Sequence, residues 1–215
     1  MNEKKVAKLT PTPFFWSGRE LARVPATPTG FAALDAALPG GGWPRGALTE
    51  VIHGRAGIGE LGLLAPALAR ISEKKGVALI SAPYQVCGPG WAQREINLSQ
   101  LLMVQAADPA DRLWAASQSL RSGAFGAVLL WLDGSAAEKD LRRLQLAAEG
   151  SDALAFLFRP LAVVRQASPA ALRLRLSAGL NVDILKSRGG SPRSIFLRTA
   201  PHAVAVPAPA TRCAA

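Results

Sequence analysis

The sequence predicts an α/β fold, with a mainly parallel sheet, helices on both faces and an antiparallel edge extension. Three observations predict it. Short apolar runs recur between segments of helical length, the arrangement that covers a parallel sheet on both sides. Helix-start and helix-stop residues lie between those runs. The first five runs are continuously apolar, whereas the last three alternate or carry charge, as expected of buried strands followed by strands at an edge.

In chain order, residues 1–28 hold Pro11, Pro13, Pro25 and Pro28 and read as an irregular arm. Within it Phe14, Phe15 and Trp16 either pack back on the domain or meet a partner. The expected strands are Leu48–Ile52, Val77–Ser81, Leu101–Val104, Ala127–Leu132, Ala153–Phe158, Leu172–Leu176, Val182–Lys186 and Ser194–Arg198. Asp108 and Pro109 supply an N-cap and a proline in the first turn; Leu113, Trp114, Ser117 and Leu120 continue at helical spacing to Gly123. Ser135 and Glu138 have capping-box spacing for a helix over 135–149, with Leu141, Leu144, Gln145 and Ala148 following. Residues 201–215 form a Pro/Ala-rich tail, leaving 29–200 as one domain.

Composition narrows the function classes. The chain has 215 residues, 49% of them hydrophobic, enough for one substantial core. Its apolar runs are too short to span a bilayer, and no apolar block follows the basic N-terminus, so a cytoplasmic protein with no membrane partner is expected. Two cysteines, Cys87 and Cys213, and two histidines predict neither a disulfide framework nor a metal site. The formal charge is +10, which suits an acidic or polyanionic partner. Residues 139–215 carry 12 basic and 4 acidic residues, so most of the excess lies in the last third.

The segment from Gly54 to Leu61 raises the sharpest chemical question. Placed after an apolar strand, Gly54 and Gly59 have the spacing of G-x-x-x-x-G-K-[ST], a loop whose amides cradle phosphates while lysine neutralises them and the hydroxyl binds magnesium. Here Glu60 and Leu61 replace those two side chains. A carboxylate about 4 Å from a phosphate charge costs roughly 4 kcal/mol at an effective dielectric near 20. The expectation is a vestigial loop of Gly54, Gly57, Gly59 and Glu60 with no cofactor and no catalytic residue. Pro66 is also expected to kink or delay the next helix, because it cannot donate to Gly62.

A basic surface offers a different kind of site. Alternation in Leu172–Leu176 puts the leucines inward and Arg173 and Arg175 on a solvent face. Lys186, Arg188 and Arg193 surround a Gly-rich turn, and Arg142 and Arg143 lie on the helix over 135–149. These seven residues form the candidate partner or DNA surface. A plain solvated face is the competing reading.

The run Thr29–Gly46, with the spacing T-G-x-x-x-L-D-x-x-L-x-G-G-G-x-P-x-G before a strand and Gly-rich loop, resembles the RecA family. The resemblance covers most of the core and implies an ATPase architecture. Several positions depart from it. Pro83 stands where the family has its catalytic glutamate, and Trp131 where an aspartate positions magnesium. Asp133 lies two residues beyond, about 6.6 Å along a strand. Trp91 matches the position that stacks on adenine, although a core or partner contact suits it better.

The long DNA-binding loop of the family is reduced here to Pro160–Pro169. With R-R-L-Q-L-A-A-E from Arg142 and S-P-A-A-L-R-L-R-L from Ser168, the chain is similar to the ImuA family of RecA-like mutasome accessory proteins. That resemblance implies SOS-induced translesion synthesis without ATP hydrolysis, and as partners the inactive Y-family polymerase homologue ImuB, an error-prone polymerase, RecA and DNA. Two alternatives stay open. One is a SulA-like division inhibitor that binds the tubulin-like division protein; the other is a DNA-dependent ATPase using Arg55 and Asp133.

Overall fold

The computed structural model describes residues 25–84, 87–134 and 136–197. The aromatic run Phe14–Trp16, Ser135, Cys213 and the tail from 201 lie outside them. All eight expected strands appear in one sheet, with ends that differ by at most two residues. They are β3 (Ala47–His53), β4 (Gly76–Ile80), β5 (Leu101–Val104), β6 (Phe125–Trp131), β7 (Leu154–Pro160), β8 (Leu172–Ser177), β9 (Asn181–Ser187) and β10 (Arg193–Phe196). Their order is β10-β9-β8-β3-β7-β6-β4-β5. A separate two-stranded ladder pairs β1 (Ala26–Thr27) with β2 (Trp43–Pro44).

Two expectations about this sheet need correction. β8 runs parallel to β3, with Glu50 opposite Arg173, so the antiparallel extension consists of β9 and β10 alone. Of its two alternating arginines, Arg173 answers the buried carboxylate of Glu50 on the neighbouring strand, and Arg175 is exposed. β5 is an edge strand despite its continuous apolar run. It has only β4 beside it, and Leu102 and Met103 are more than 40% exposed.

The helices α1 (Ala32–Asp35), α2 (Glu60–Ser72), α3 (Gly88–Ala92), α4 (Pro109–Arg121) and α5 (Glu138–Glu149) divide between the two faces. Val51, Leu79, Leu129 and Phe156 pack with Leu63, Leu64 and Leu68 of α2 and Trp91 of α3. On the other face Leu48, Ile80, Val128 and Leu157 meet Leu120 of α4 and Leu141 and Leu144 of α5. α4 starts as its sequence indicates, with Asp108 accepting from the Ala110 amide and Pro109 in the first turn. α5 begins later than expected, at Glu138, with Ala137 at its N-cap and no side-chain cap. Its Gln145 is buried and accepts the Leu48 amide at 3.1 Å, which fixes the helix on β3.

The run from Thr29 to Gly46 is a scaffold for the loop that follows it. The Thr29 hydroxyl accepts the Phe31 amide, and Asp35 accepts the Thr29 amide at 2.7 Å, closing the turn around α1. Leu34 and Trp43 are fully buried beneath it. Gly42 has to be glycine because a Cβ there would sit 2.2 Å from the Thr27 carbonyl oxygen. Gly30, at φ +90°, leaves room for the Pro66 ring, which a Cβ would approach to 2.4 Å. α2 therefore accommodates Pro66 inside a continuous helix that starts directly at Glu60, contrary to the expected delay.

Candidate functional site

β3 delivers the chain at His53 to a glycine-rich loop, and α2 takes it away at Glu60. Gly57 (φ +81°) and Gly59 (φ +115°) adopt left-handed conformations that side chains rarely reach. Gly54 has open space where a Cβ would stand, so it carries no such constraint. The Glu60 side chain turns back into the loop. Its carboxylate accepts the Gly57 amide at 2.7 Å and the Gly59 amide at 3.2 Å, and the residue is buried. An acid at a helix N-terminus also meets the positive end of the helix dipole.

Glu60 therefore fills the loop from within. Its negative charge, read from the sequence as a source of repulsion, satisfies the loop internally. The nearby positions are filled as well. Trp131, at the end of β6, stacks on Phe158 with ring centroids 4.5 Å apart. Asp133 is engaged by Arg112 at 2.7 Å. Trp91 is buried in the core and, with Glu60, Trp131 and Arg94, lines a cavity of about 270 Å³. Among the described residues no three His, Cys, Asp or Glu side chains are grouped as metal ligands.

The basic residues fare differently from one another. Arg142 and Arg143 are exposed on α5 and pair with Glu138 and Asp140 within the helix. Arg173 is buried and bonds Glu50 at 2.7 Å, so it leaves the surface set. Arg175 is half exposed and bonds Asp183 on β9 at 2.8 Å. Lys186 donates to the Ser168 carbonyl at 2.9 Å. Burial, then the Arg173 and Arg188 cations, hold its amine below the ordinary value of 10.5, with Glu50 opposing them. Arg188 and Arg193 are exposed beside the β9–β10 turn. The surviving cations thus sit on α5 and on the β8–β10 end of the sheet.

Asp183 ties that end together. A Ser194 hydrogen bond and the Arg175 guanidinium hold its carboxyl below the ordinary 3.8, against a smaller upward push from burial than the Ser194 bond. A lowered folded pKa gives stability that is complete above the unfolded value and is lost as pH falls through the folded one. Asp183→Asn is expected to destabilise the protein at neutral pH, and the difference from the parent should shrink as acid titrates through this range. Urea unfolding at stepped pH measures it.

Sequence reasoning missed Glu50 and Arg159. Both are fully buried; Arg159 bonds Glu50 at 3.0 Å, the Gln166 side-chain oxygen at 3.1 Å and the Gly134 carbonyl. The signal was available, because a charge inside a strand with both faces covered needs a partner. Thr49-Glu50-Val51 and Phe158-Arg159-Pro160 both show that pattern.

A family model described as "Cell division inhibitor SulA" matches residues 46–155, half of the chain. The chain belongs to the SulA family. The matched part runs from β3 through the Glu60-filled loop to the start of β7, so the site lies inside it. This SulA-family chain is also similar to the RecA protein of Bacillus velezensis, with 34% identity over 109 residues, covering 50% of the chain and 31% of that protein. The cell division inhibitor SulA of Klebsiella aerogenes is 29% identical over 99 residues, covering 46% of the chain and 59% of that protein. The chain thus spans less than two thirds of either relative. A crystal structure of SulA from Pseudomonas aeruginosa is similar at 26% identity and a TM-score of 0.43, over 52% of this chain and 97% of that one. The family match and these two relatives support a relation to SulA and RecA proteins.

Proposed function

We propose that the chain is a non-hydrolytic, RecA-like protein of the DNA-damage response that works by assembling other proteins. The observation that carries this is the Glu60 carboxylate bonded to the Gly57 and Gly59 amides. With the Gly57 and Gly59 amides taken by its own carboxylate, the loop has two fewer donors and one more negative charge to set against a triphosphate, and it lacks the lysine that would help stabilise phosphoryl transfer. In its finer form, the protein is a mutasome accessory in translesion synthesis, meeting an ImuB-type polymerase homologue and an error-prone polymerase. The exposed cations Arg175, Arg188 and Arg193 at the β8–β10 end are the surface offered to the partner or DNA.

A second reading follows from the family match: a division inhibitor that binds the tubulin-like division protein. Deletion and overproduction separate the two. Loss of damage-induced mutagenesis on deletion supports the mutasome role, whereas filamentation on overproduction without DNA damage supports the division role. Magnesium-dependent ATP turnover by the purified protein, stimulated by DNA, overturns both. Glu60→Ala is expected to lower stability by about 2 kcal/mol, the scale of hydrogen bonds to a charged group, and to leave ATP binding absent. Urea unfolding and equilibrium binding of labelled ATP read those two results.

A further inference from the structure

β10 closes the antiparallel end of the sheet, with β9 on one side and, among the described residues, no strand on the other. Residues that face each other in an antiparallel pair alternate between those that exchange backbone hydrogen bonds and those that do not. The Leu197 amide donates to the Leu180 carbonyl at 3.1 Å, continuing the register that sets Ile195 against Val182 and Arg193 against Ile184. Arg193 and Ile195 therefore turn their backbone groups to β9, and the N–H and C=O of Ser194 and Phe196 point to the open side. The backbone there offers donors and acceptors at the spacing of a strand.

The side chains along this edge are accessible and carry one sign of charge. Ser194 bonds Asp183, which Arg175 also holds, so Ser194 and, two residues on, Phe196 share one face of the sheet. Phe196 is 66% exposed there. Arg193 and Ile195 take the opposite face, where Ile195 packs against the core that α2 covers and Arg193 is exposed. Arg188 is exposed just before the same β9–β10 turn. Residues 153–215 contain nine Lys and Arg and one acid, Asp183, and Arg175 and Ser194 already hold that acid. Among the described residues neither Arg188 nor Arg193 forms an ion pair.

We propose that the free edge of β10 receives an extended acidic segment of a protein partner as an added strand, with acidic side chains toward Arg193 and apolar ones beside Phe196. This rests on the reading of the chain as an assembler of other proteins and says how one of them is held. A peptide strand alternates donors and acceptors and so matches every outward group of Ser194 and Phe196. A phosphodiester has no donor for their two carbonyls, so nucleic acid fits this edge less well. Because Arg193 and Phe196 lie on opposite faces, a segment that alternates acidic and apolar residues satisfies both. A second copy of the same edge would set cation against cation, which is unfavourable.

Amide hydrogen exchange read by NMR on the full-length, ¹⁵N-labelled chain tests this, because the Ser194 and Phe196 amides gain an acceptor when a strand is added. The probes are a capped peptide of alternating Glu and Val, the same peptide with Lys in place of Glu, and oligothymidylate. Saturable slowing of exchange at Ser194 and Phe196 is expected with the Glu/Val peptide alone. Arg193→Glu, at an exposed position, should weaken that binding about tenfold, equivalent to about 1.4 kcal/mol. No slowing, equal slowing by the Lys/Val peptide, an affinity untouched by Arg193→Glu, or slowing by oligothymidylate in place of the peptide overturns the proposal. The two failures stay distinguishable: DNA-stimulated ATP turnover sinks the assembling role, and unprotected Ser194 and Phe196 amides sink the added strand.

Discussion

Glu50→Ala is expected to lower the unfolding free energy by about 3–5 kcal/mol, the cost of breaking a buried ion pair from one side. The Glu50 side chain is fully buried in the middle of β3, bonded to Arg159 at 3.0 Å and Arg173 at 2.7 Å. Removing it strands two guanidinium charges between β3, β7, β8 and the connector that begins at Leu161. A loss of that size is a large share of the roughly 5–15 kcal/mol available to a domain. Urea unfolding measures it. A change below about 1 kcal/mol would mean that water reaches the cluster. Replacing Glu50, Arg159 and Arg173 together by apolar residues of similar volume is expected to cost far less than Glu50→Ala alone, because no charge is left without its partner.

The second large effect is expected at Trp43. Trp43→Ala should cost about 3–5 kcal/mol, as is usual for a large aromatic removed from a core. Trp43 is fully buried and meets Phe156 edge-on, with ring centroids 5.2 Å apart at 87°. It also belongs to β2, which pairs with β1 and leads through Gly46 into β3. Its Nε1 has no acceptor among the described residues, so Trp43→Phe loses no hydrogen bond and should recover part of the stability. If phenylalanine proved no better than alanine, the edge-on contact would not be what holds this segment.

These two residues show how unevenly the molecule could be read in advance. Trp43 sits in the glycine-rich run that marked the fold, although neither β2 nor the burial of Trp43 was read from that run. Glu50 was passed over because a lone acid in an apolar strand does not reveal which cation will come to it. Arg159 and Arg173 lie 109 and 123 residues away along the chain. Period-two alternation assigned Arg173 to a face correctly, but periodicity cannot tell which layer covers that face. The segment after β7 supplies the cover, with Arg173 lying against the Val163 carbonyl.

Glu60 makes the same point at the site. The missing lysine and hydroxyl were visible from spacing alone, and so was the negative charge put in their place. Whether that charge points outward to solvent or inward to the loop amides depends on a side-chain rotamer and the left-handed turns at Gly57 and Gly59.

The amino-acid order by itself determined the alternation of strands and helices, the N-cap of α4, the glycine turns and the absence of the loop's lysine. Each of these rests on periodicity or local backbone preference, which act over a few residues. Only the tertiary structure decided that β8 lies parallel to β3, that Glu50 gathers two distant arginines, and that Glu60 fills its own loop. Those outcomes depend on which strands become neighbours and on where buried charge finds its partner, and both are settled by packing across the whole sheet.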